Sequence, residues 1–280
     1  MSKKIKEAPY IISRLNHLMM NYRVYIPGTL ERLLVCLGLF VLGGCVSWIF
    51  YGGLFQRNGY PTTATYISNT VIFFVVGILA VRFFFPLYIK RCVKKQRLKL
   101  KLQFGDMLSS LSASISSGSN IRKAFEDVLD DLLMQYREED FIVKETREIL
   151  GGIAQNINLE VMIKDFAKRS DDEDILCFAD VFEVCYRKGG DLKSVMHHTH
   201  TVIHEKMEIM DEIETKLTSN KMQHNVMSLM PIAVVAMLRF TNDTFADNFT
   251  TPLGVLTNTA AIGIFIVSYY YGLKICDVKV

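Results

Sequence analysis

The stretch ISNTVIFFVVGILAVRFFFPLYIKRCVKKQRLKLKLQFGDMLSSLSASI, residues 67–115, decides the fold. From Ile67 to Ile89 it carries a single charge, Arg82, which suits a helix crossing a bilayer, where ~20 apolar residues are needed. Seven basic residues follow at once: Lys90, Arg91, Lys94, Lys95, Arg97, Lys99 and Lys101. Beyond them Phe104, Met107, Leu108, Leu111 and Ile115 recur at helical spacing until Ser116-Ser117-Gly118 ends the pattern. One helix therefore leaves a membrane through a basic girdle and becomes an amphipathic element of a polar domain.

Working outward, Leu33–Gln56 is free of charge and reads as a span before this one. Leu253–Leu273 is a further span. Val226–Phe240, shorter and interrupted by Pro231, is the fourth; a buried helix of a soluble core is its alternative. Basic residues collect on the cytoplasmic side of a membrane. Lys3, Lys4, Lys6, Arg14, Arg23 and Arg32 precede the first span, and the girdle at 90–101 follows the second. The Arg57–Tyr66 connection has one basic residue, and Thr241–Pro252 has none. An even number of spans with both termini in the cytoplasm satisfies all four assignments. The predicted organisation is a cytosolic segment 1–32, two spans within 33–89, a cytosolic domain 90–224, two spans within 225–275 and a cytosolic tail 276–280.

The net charge of +3 conceals a division. From Leu102 to His224 there are 14 Lys and Arg against 24 Asp and Glu, a net of −10. Such a domain repels phosphates, so no nucleic-acid partner is expected. The basic girdle is instead suited to anionic lipid headgroups, each cation contributing ~1 kcal/mol near that surface. Cys36, Cys45, Cys92, Cys177, Cys185 and Cys276 include no CxxC pair and suggest neither a disulfide framework nor a zinc knuckle. No removable signal peptide is expected. Ile11, Ile12, Leu15, Leu18 and Met19 predict a helix over residues 8–22, lying either on the inner membrane surface or in a core.

Within 90–224 the pattern is helix after helix. The second starts at Ser119 or Asn120 and buries Ile121, Ala124, Phe125, Val128, Leu129 and Leu132. A third runs from Asp140 to Leu150 and stops at Gly151-Gly152. A fourth, Asn158–Lys168, presents Leu159, Met162, Ile163 and Phe166. For the fifth, Ser170 and Glu173 form a capping box, Gly189 supplies the C-cap, and Ile175, Phe178, Ala179, Phe182 and Cys185 make the stripe. Asp191 caps a sixth, whose Leu192, Val195, Val202, Met207, Met210, Ile213 and Leu217 lead toward the third span. A long helix joined to a membrane segment can transmit rotation or displacement.

These residues resemble the type II secretion system F-domain family, most closely its Tad (tight adherence) pilus branch. The resemblance covers about residues 100–240. It rests on Leu108-Ser109-Ser110-Leu111-Ser112 leading to Ser117-Gly118 and Ala124, then Leu150-Gly151-Gly152, Phe166-Ala167-Lys168-Arg169, Gly189-Gly190-Asp191-Leu192, and Met230-Pro231 opening the third span. The chain departs from the family pattern in its Ser116-Ser117 pair, and it holds one F domain where the longer members have two. The resemblance implies an all-α membrane protein, four transmembrane helices around a central cytosolic antiparallel six-helix bundle, in the inner (cytoplasmic) membrane. It implies a mechanical role without a cofactor: a platform on which pilin or pseudopilin subunits join a filament, driven by a secretion-type hexameric ATPase. A single F domain implies a second F-domain platform protein or self-association. Candidate interaction or hinge residues are Gly118, Gly189 and Gly190 at helix reversals, Asp191 as a cap, and Arg169 with Asp174 as contacts on the bundle surface.

Two other classes stay open. A membrane enzyme finds no support in GxSxG, Walker A, GxGxxG or HExxH motifs, since His204-Glu205-Lys206-Met207-Glu208 lacks the second His. His197, His200 and His204 share one helical face, but three ligands on one straight helix seldom converge on an ion, so neither a metal site nor a catalytic residue is expected. A small transporter would draw on Arg82, which lies within two turns of Lys90 and can snorkel to the headgroups instead. Arg239 is expected to do the same at the outer face.

Overall fold

The computed structural model describes residues 8–52, 63–188, 192–242, 248 and 251–276. In chain order these form β1 (Tyr10–Ile12), β2 (Leu18–Met20), α1 (Thr29–Tyr51), α2 (Thr63–Ser116), α3 (Ile121–Gln135), α4 (Phe141–Ala154), α5 (Leu159–Ser170), α6 (Glu173–Lys188), α7 (Leu192–Thr241) and α8 (Pro252–Cys276). The chain divides into two compact units. One comprises residues 1–26 with 89–209, the other residues 27–88 with 210–280.

The first unit is helical around one core. Leu100, Phe104, Met107, Leu108 and Leu111 come from α2, and Ala124, Phe125, Val128 and Leu132 from α3. Ile142, Val143 and Ile149 of α4 join Met162, Ile163 and Phe166 of α5 and Ile175, Phe178, Ala179 and Phe182 of α6. Helices α3 and α4, α4 and α5, and α5 and α6 pack as neighbours, as short connections dictate. Phe104 meets Phe178 edge-to-face at 5.4 Å. Each such fully buried side chain contributes ~1.5–3 kcal/mol by leaving water.

Helix boundaries follow local chemistry. Asn120 caps α3 by accepting from the Lys123 amide at 2.9 Å. At the end of α2, Gly118 has φ +94° and donates its N–H to the Ile115 carbonyl, while the Ser119 N–H reaches Ser114. This is a Schellman ending, and it needs a residue that tolerates the left-handed region.

Four expectations are corrected. Residues 8–22 form no helix: β1 and β2 pair antiparallel, Tyr10 opposite Met20 and Ile12 opposite Leu18. The intervening turn places Asn16 at φ 60°, and Ser13 Oγ accepts from the Leu15 and His17 amides, an alternative to helical bonding that serine and asparagine favour. Gly151-Gly152 does not stop α4, which runs to Ala154 and ends in a second Schellman motif with Asn156 at φ 59°. Gly152 instead gives room to Met162, whose Cγ would lie 2.7 Å from an added Cβ. The cap of α6 is Asp172, accepting from the Asp174 and Ile175 amides, because Ser170 still belongs to α5 and bonds back to Ala167. On α7, Val195 and Met207 pack against the core as expected, but the fully buried residues are Met196 and Ile203, and Val202 is exposed. Gly189, Gly190 and Asp191 lie outside the described residues.

The second unit contains the apolar helices. Four described stretches are long and apolar enough to cross a membrane: Thr29–Tyr51, a part of Thr63–Ser116, Met222–Thr241 and Leu253–Gly272. The chain is thus a largely helical, multi-pass membrane protein. Small residues let α1 and α2 approach: an added Cβ at Gly43 would lie 2.6 Å from Ala80, and one at Gly77 2.6 Å from Phe40. Arg239 does not reach outward. Its guanidinium donates to the Ile49 and Gly52 carbonyls at the end of α1, and Asn258 Nδ2 donates to the Phe50 carbonyl at 2.8 Å. A helix end lacks partners for its last carbonyls, a cost of several kcal/mol per group in lipid. Side chains of α7 and α8 remove it.

Gly118→Val is expected to destabilise the first unit by ~1–2 kcal/mol, the cost of left-handed backbone for a side chain bearing Cβ. Thermal unfolding of the full chain in detergent should show the first unit melting earlier, with Gly118→Asn closer to the parent.

Candidate functional site

Helix α4 brings the polar chemistry of the first unit together. Glu145 and Glu148, one turn apart, both point inward, with Glu145 fully buried. Arg169 of α5 meets Glu145 in a bidentate pair, Nη1 to Oε1 at 2.6 Å and Nη2 to Oε2 at 2.7 Å. Its Nε donates to Asp165 at 3.1 Å. The Tyr22 hydroxyl donates to Glu145 Oε1 at 2.9 Å, the Tyr22 amide bonds to the Arg169 carbonyl, and its ring stands edge-on to Phe141 at 5.4 Å. One turn along, Glu148 accepts from Ser13 Oγ and pairs with His17 Nδ1 at 2.8 Å. Leu15, at the hairpin tip, sits against Gly151. Residues 8–26 are therefore seated along α4 by a line of polar contacts rather than held by apolar packing alone.

The electrostatics follow from burial. Desolvation raises the Glu145 carboxyl above its ordinary value, with the Arg169 guanidinium opposing it. For Arg169 desolvation acts toward neutrality, yet the Glu145 and Asp165 carboxylates outweigh it, so the guanidinium stays charged. Burial, then the Glu145 charge, keeps the Tyr22 phenol well above its usual value, and Tyr22 remains a donor.

A second node lies at the α5–α6 turn. Asp171, at φ 54°, pairs with Arg23 at 3.2 Å and with Arg97 of α2. Asp174 accepts from Lys101 of α2 and from Lys206 of α7, the latter at 2.6 Å. Burial would raise its carboxyl, but the two ammonium groups overturn that and hold it below the usual carboxylate range. One side chain thus ties three helices.

Of the expected site residues, Gly118 ends α2 with left-handed backbone. Arg169 does not contact the bundle surface: it is 4% exposed and serves as the internal partner of Glu145. Asp174 is an internal tie between α2, α6 and α7. Gly189, Gly190 and Asp191 fall outside the described residues. On α7, His200 and His204 stack at 5.7 Å, and burial followed by the neighbouring histidines lowers the His200 pKa. Among the described residues no three His, Cys, Asp or Glu side chains converge as metal ligands. Glu145, Glu148 and Tyr22 escaped sequence reading because glutamate on a helix is ordinarily solvated, and only the fold shows what covers them.

Comparison with protein families, characterised proteins and solved structures finds no match for this chain.

Removing one partner of a buried ion pair strands the other charge. Glu145→Ala or Arg169→Ala should each cost ~3–5 kcal/mol, whereas Glu145→Met with Arg169→Leu should recover most of the loss. Thermal melts of the three variants test this. Asp174 carries a lowered pKa, so its ion pairs stabilise the fold above the unfolded value of ~3.9 and the benefit is lost as pH falls through the folded value. Asp174→Asn should lower the melting temperature at pH 6 and flatten the decline between pH 5 and 3.

Proposed function

We propose that this chain is an inner-membrane platform protein of the type II secretion system F-domain family, nearest the Tad pilus branch, which couples a cytosolic ATPase to pilin addition. The observation that supports this reading most is the continuity of α2 and α7. Each is one helix that includes a membrane-crossing stretch and also contributes core residues to the helical unit: Leu100–Leu111 on α2, Met196 and Ile203 on α7. Among the described residues six helical segments contribute to that core, which is compatible with the family's antiparallel six-helix bundle. Of the ordered matches, Leu108–Ser112 lies in α2, Leu150-Gly151-Gly152 in α4, Phe166–Arg169 in α5 and Met230-Pro231 in α7, while Gly189-Gly190-Asp191 lies outside the described residues.

In this reading the helical unit is cytosolic, as the basic residues on both flanks of the first two spans require. Force from the ATPase displaces helices of the bundle. Because α2 and α7 each continue as one helix into a membrane-length stretch, with Pro86 and Pro231 the positions where one backbone donor is missing, a shift at one end moves the other, and the spans pass it to a pilin or pseudopilin held in the bilayer. The ion pairs of Asp174 with Lys101 and Lys206 would keep α2, α6 and α7 moving as one body. A second F-domain platform subunit or a second copy of this chain would share the assembly.

Affinity purification of tagged protein from its native membranes in mild detergent, with partners identified by mass spectrometry, tests the proposal. Recovery of a secretion-type ATPase and a second F-domain protein is the expected outcome. Recovery of the chain alone, or of metabolic enzymes, together with unaltered surface filaments in a deletion strain, would refute it.

A further inference from the structure

The outward side of the β1–β2 ribbon is apolar and uncovered. Ile12 is 64% exposed, Leu18 70% and Tyr10 53%. Antiparallel register places Tyr10, Ile12, Leu18 and Met20 on one face, since opposite residues and alternate residues share a side. Met20 turns into the core edge and meets Gln96, leaving Tyr10, Ile12 and Leu18 as the free part of that face. The ribbon is held from beneath by Ser13 and His17 on Glu148, Leu15 against Gly151, and Tyr22 on Glu145. Apolar groups clustered on one face and left in contact with water mark a contact surface rather than scattered surface residues.

Charge identifies the occupant. Up to Leu30 the sole acid is Glu7, whereas Arg14 is exposed in the hairpin turn and Lys3, Lys4 and Lys6 precede the ribbon in sequence. Chain continuity agrees: β2 ends at Met20 and the membrane helix α1 begins at Thr29. The eight intervening residues, nine Cα–Cα steps, reach at most ~30 Å, about one hydrocarbon thickness, so the ribbon is tethered to the surface that α1 enters. We propose that the β1–β2 ribbon is a membrane-surface anchor, Tyr10, Ile12 and Leu18 entering the headgroup–acyl boundary of an anionic bilayer while Arg14 meets the headgroups. The inference rests on α1 as a span and is independent of the platform role.

The test uses the full chain with its only tryptophan replaced, Trp48→Phe or, should that fold poorly, Trp48→Tyr. A single reporter is then introduced as Leu18→Trp, Ile12→Trp or, as an aqueous control, Met134→Trp at an 85% exposed site on α3. Each protein is reconstituted in phosphatidylcholine vesicles with or without phosphatidylglycerol, with bromine on the acyl chains near the headgroup. Interfacial segments bury their apolar face ~5–10 Å deep, so bromolipid should lower emission from Leu18→Trp and Ile12→Trp by roughly half, more with phosphatidylglycerol, and leave Met134→Trp unchanged. Equal quenching of all three by aqueous iodide would overturn the proposal. Shielding of the ribbon reporters from both iodide and bromolipid would also overturn it, in favour of a second copy or another protein adding a strand to the ribbon edge.

Discussion

The first unit depends on the pair between Arg169 and Glu145. Taking a carboxylate and a guanidinium out of water costs several kcal/mol each, and only close geometry with further hydrogen bonds offsets it. Both conditions hold here: two parallel N–H···O contacts join the groups, Tyr22 fills the remaining site on Glu145, and Asp165 takes the Arg169 Nε. A pair of this kind adds little net stability over an apolar replacement, but it permits one register only. Helix α4 cannot slide or rotate against α5 without stranding a charge, and the chain before α1 cannot leave without exposing the Glu145 carboxyl. That constraint explains why a two-stranded ribbon, marginal by itself, is ordered on this surface.

The second unit solves a related problem with opposite means. In hydrocarbon the expensive groups are backbone carbonyls at helix ends. Arg239 and Asn258, from different helices, bring donors to the end of α1, and glycines at positions 43 and 77 let α1 and α2 approach closely. An arginine in a membrane helix reads as a solvent-seeking anchor from composition, yet here its guanidinium donates to backbone carbonyls at the end of α1. Both units thus place arginine where an orphan acceptor would otherwise remain. Helices α2 and α7 run through both, and this gives the platform reading its mechanical content.

Much of this was legible in the sequence. The apolar runs gave the spans because length and lack of charge are nearly sufficient in a bilayer, and even the short Val226–Phe240 run with Pro231 lies in a described membrane-length helix. The core stripes of α2, α3, α5 and α6 fell at the expected residues, Cys185 of α6 excepted, because burying one face of a helix requires 3.6-residue periodicity. Errors gathered where two local signals competed. Gly151-Gly152 looked like a helix end, but close packing against Met162 was the reason for glycine, and Asn156 carried the left-handed turn. Ser170 and Glu173 matched a capping box, yet α5 extends through Ser170, so Asp172 is the residue free to cap.

Residues 8–26 mark the boundary between the two kinds of information. Local periodicity over Ile11, Leu15, Leu18 and Met19 is compatible with a helix, and nothing within that segment records that Glu145 and Glu148 wait across the chain. Sequence alone determined the membrane topology elements, the number of helices lining the core and the charge division, because each follows from a sum or period over neighbouring residues. Tertiary structure decided the hairpin, the burial of Arg169 and the turning inward of Arg239, because a polar group's position is set by whichever distant partner satisfies it most fully, and sequence separation holds no record of that distance.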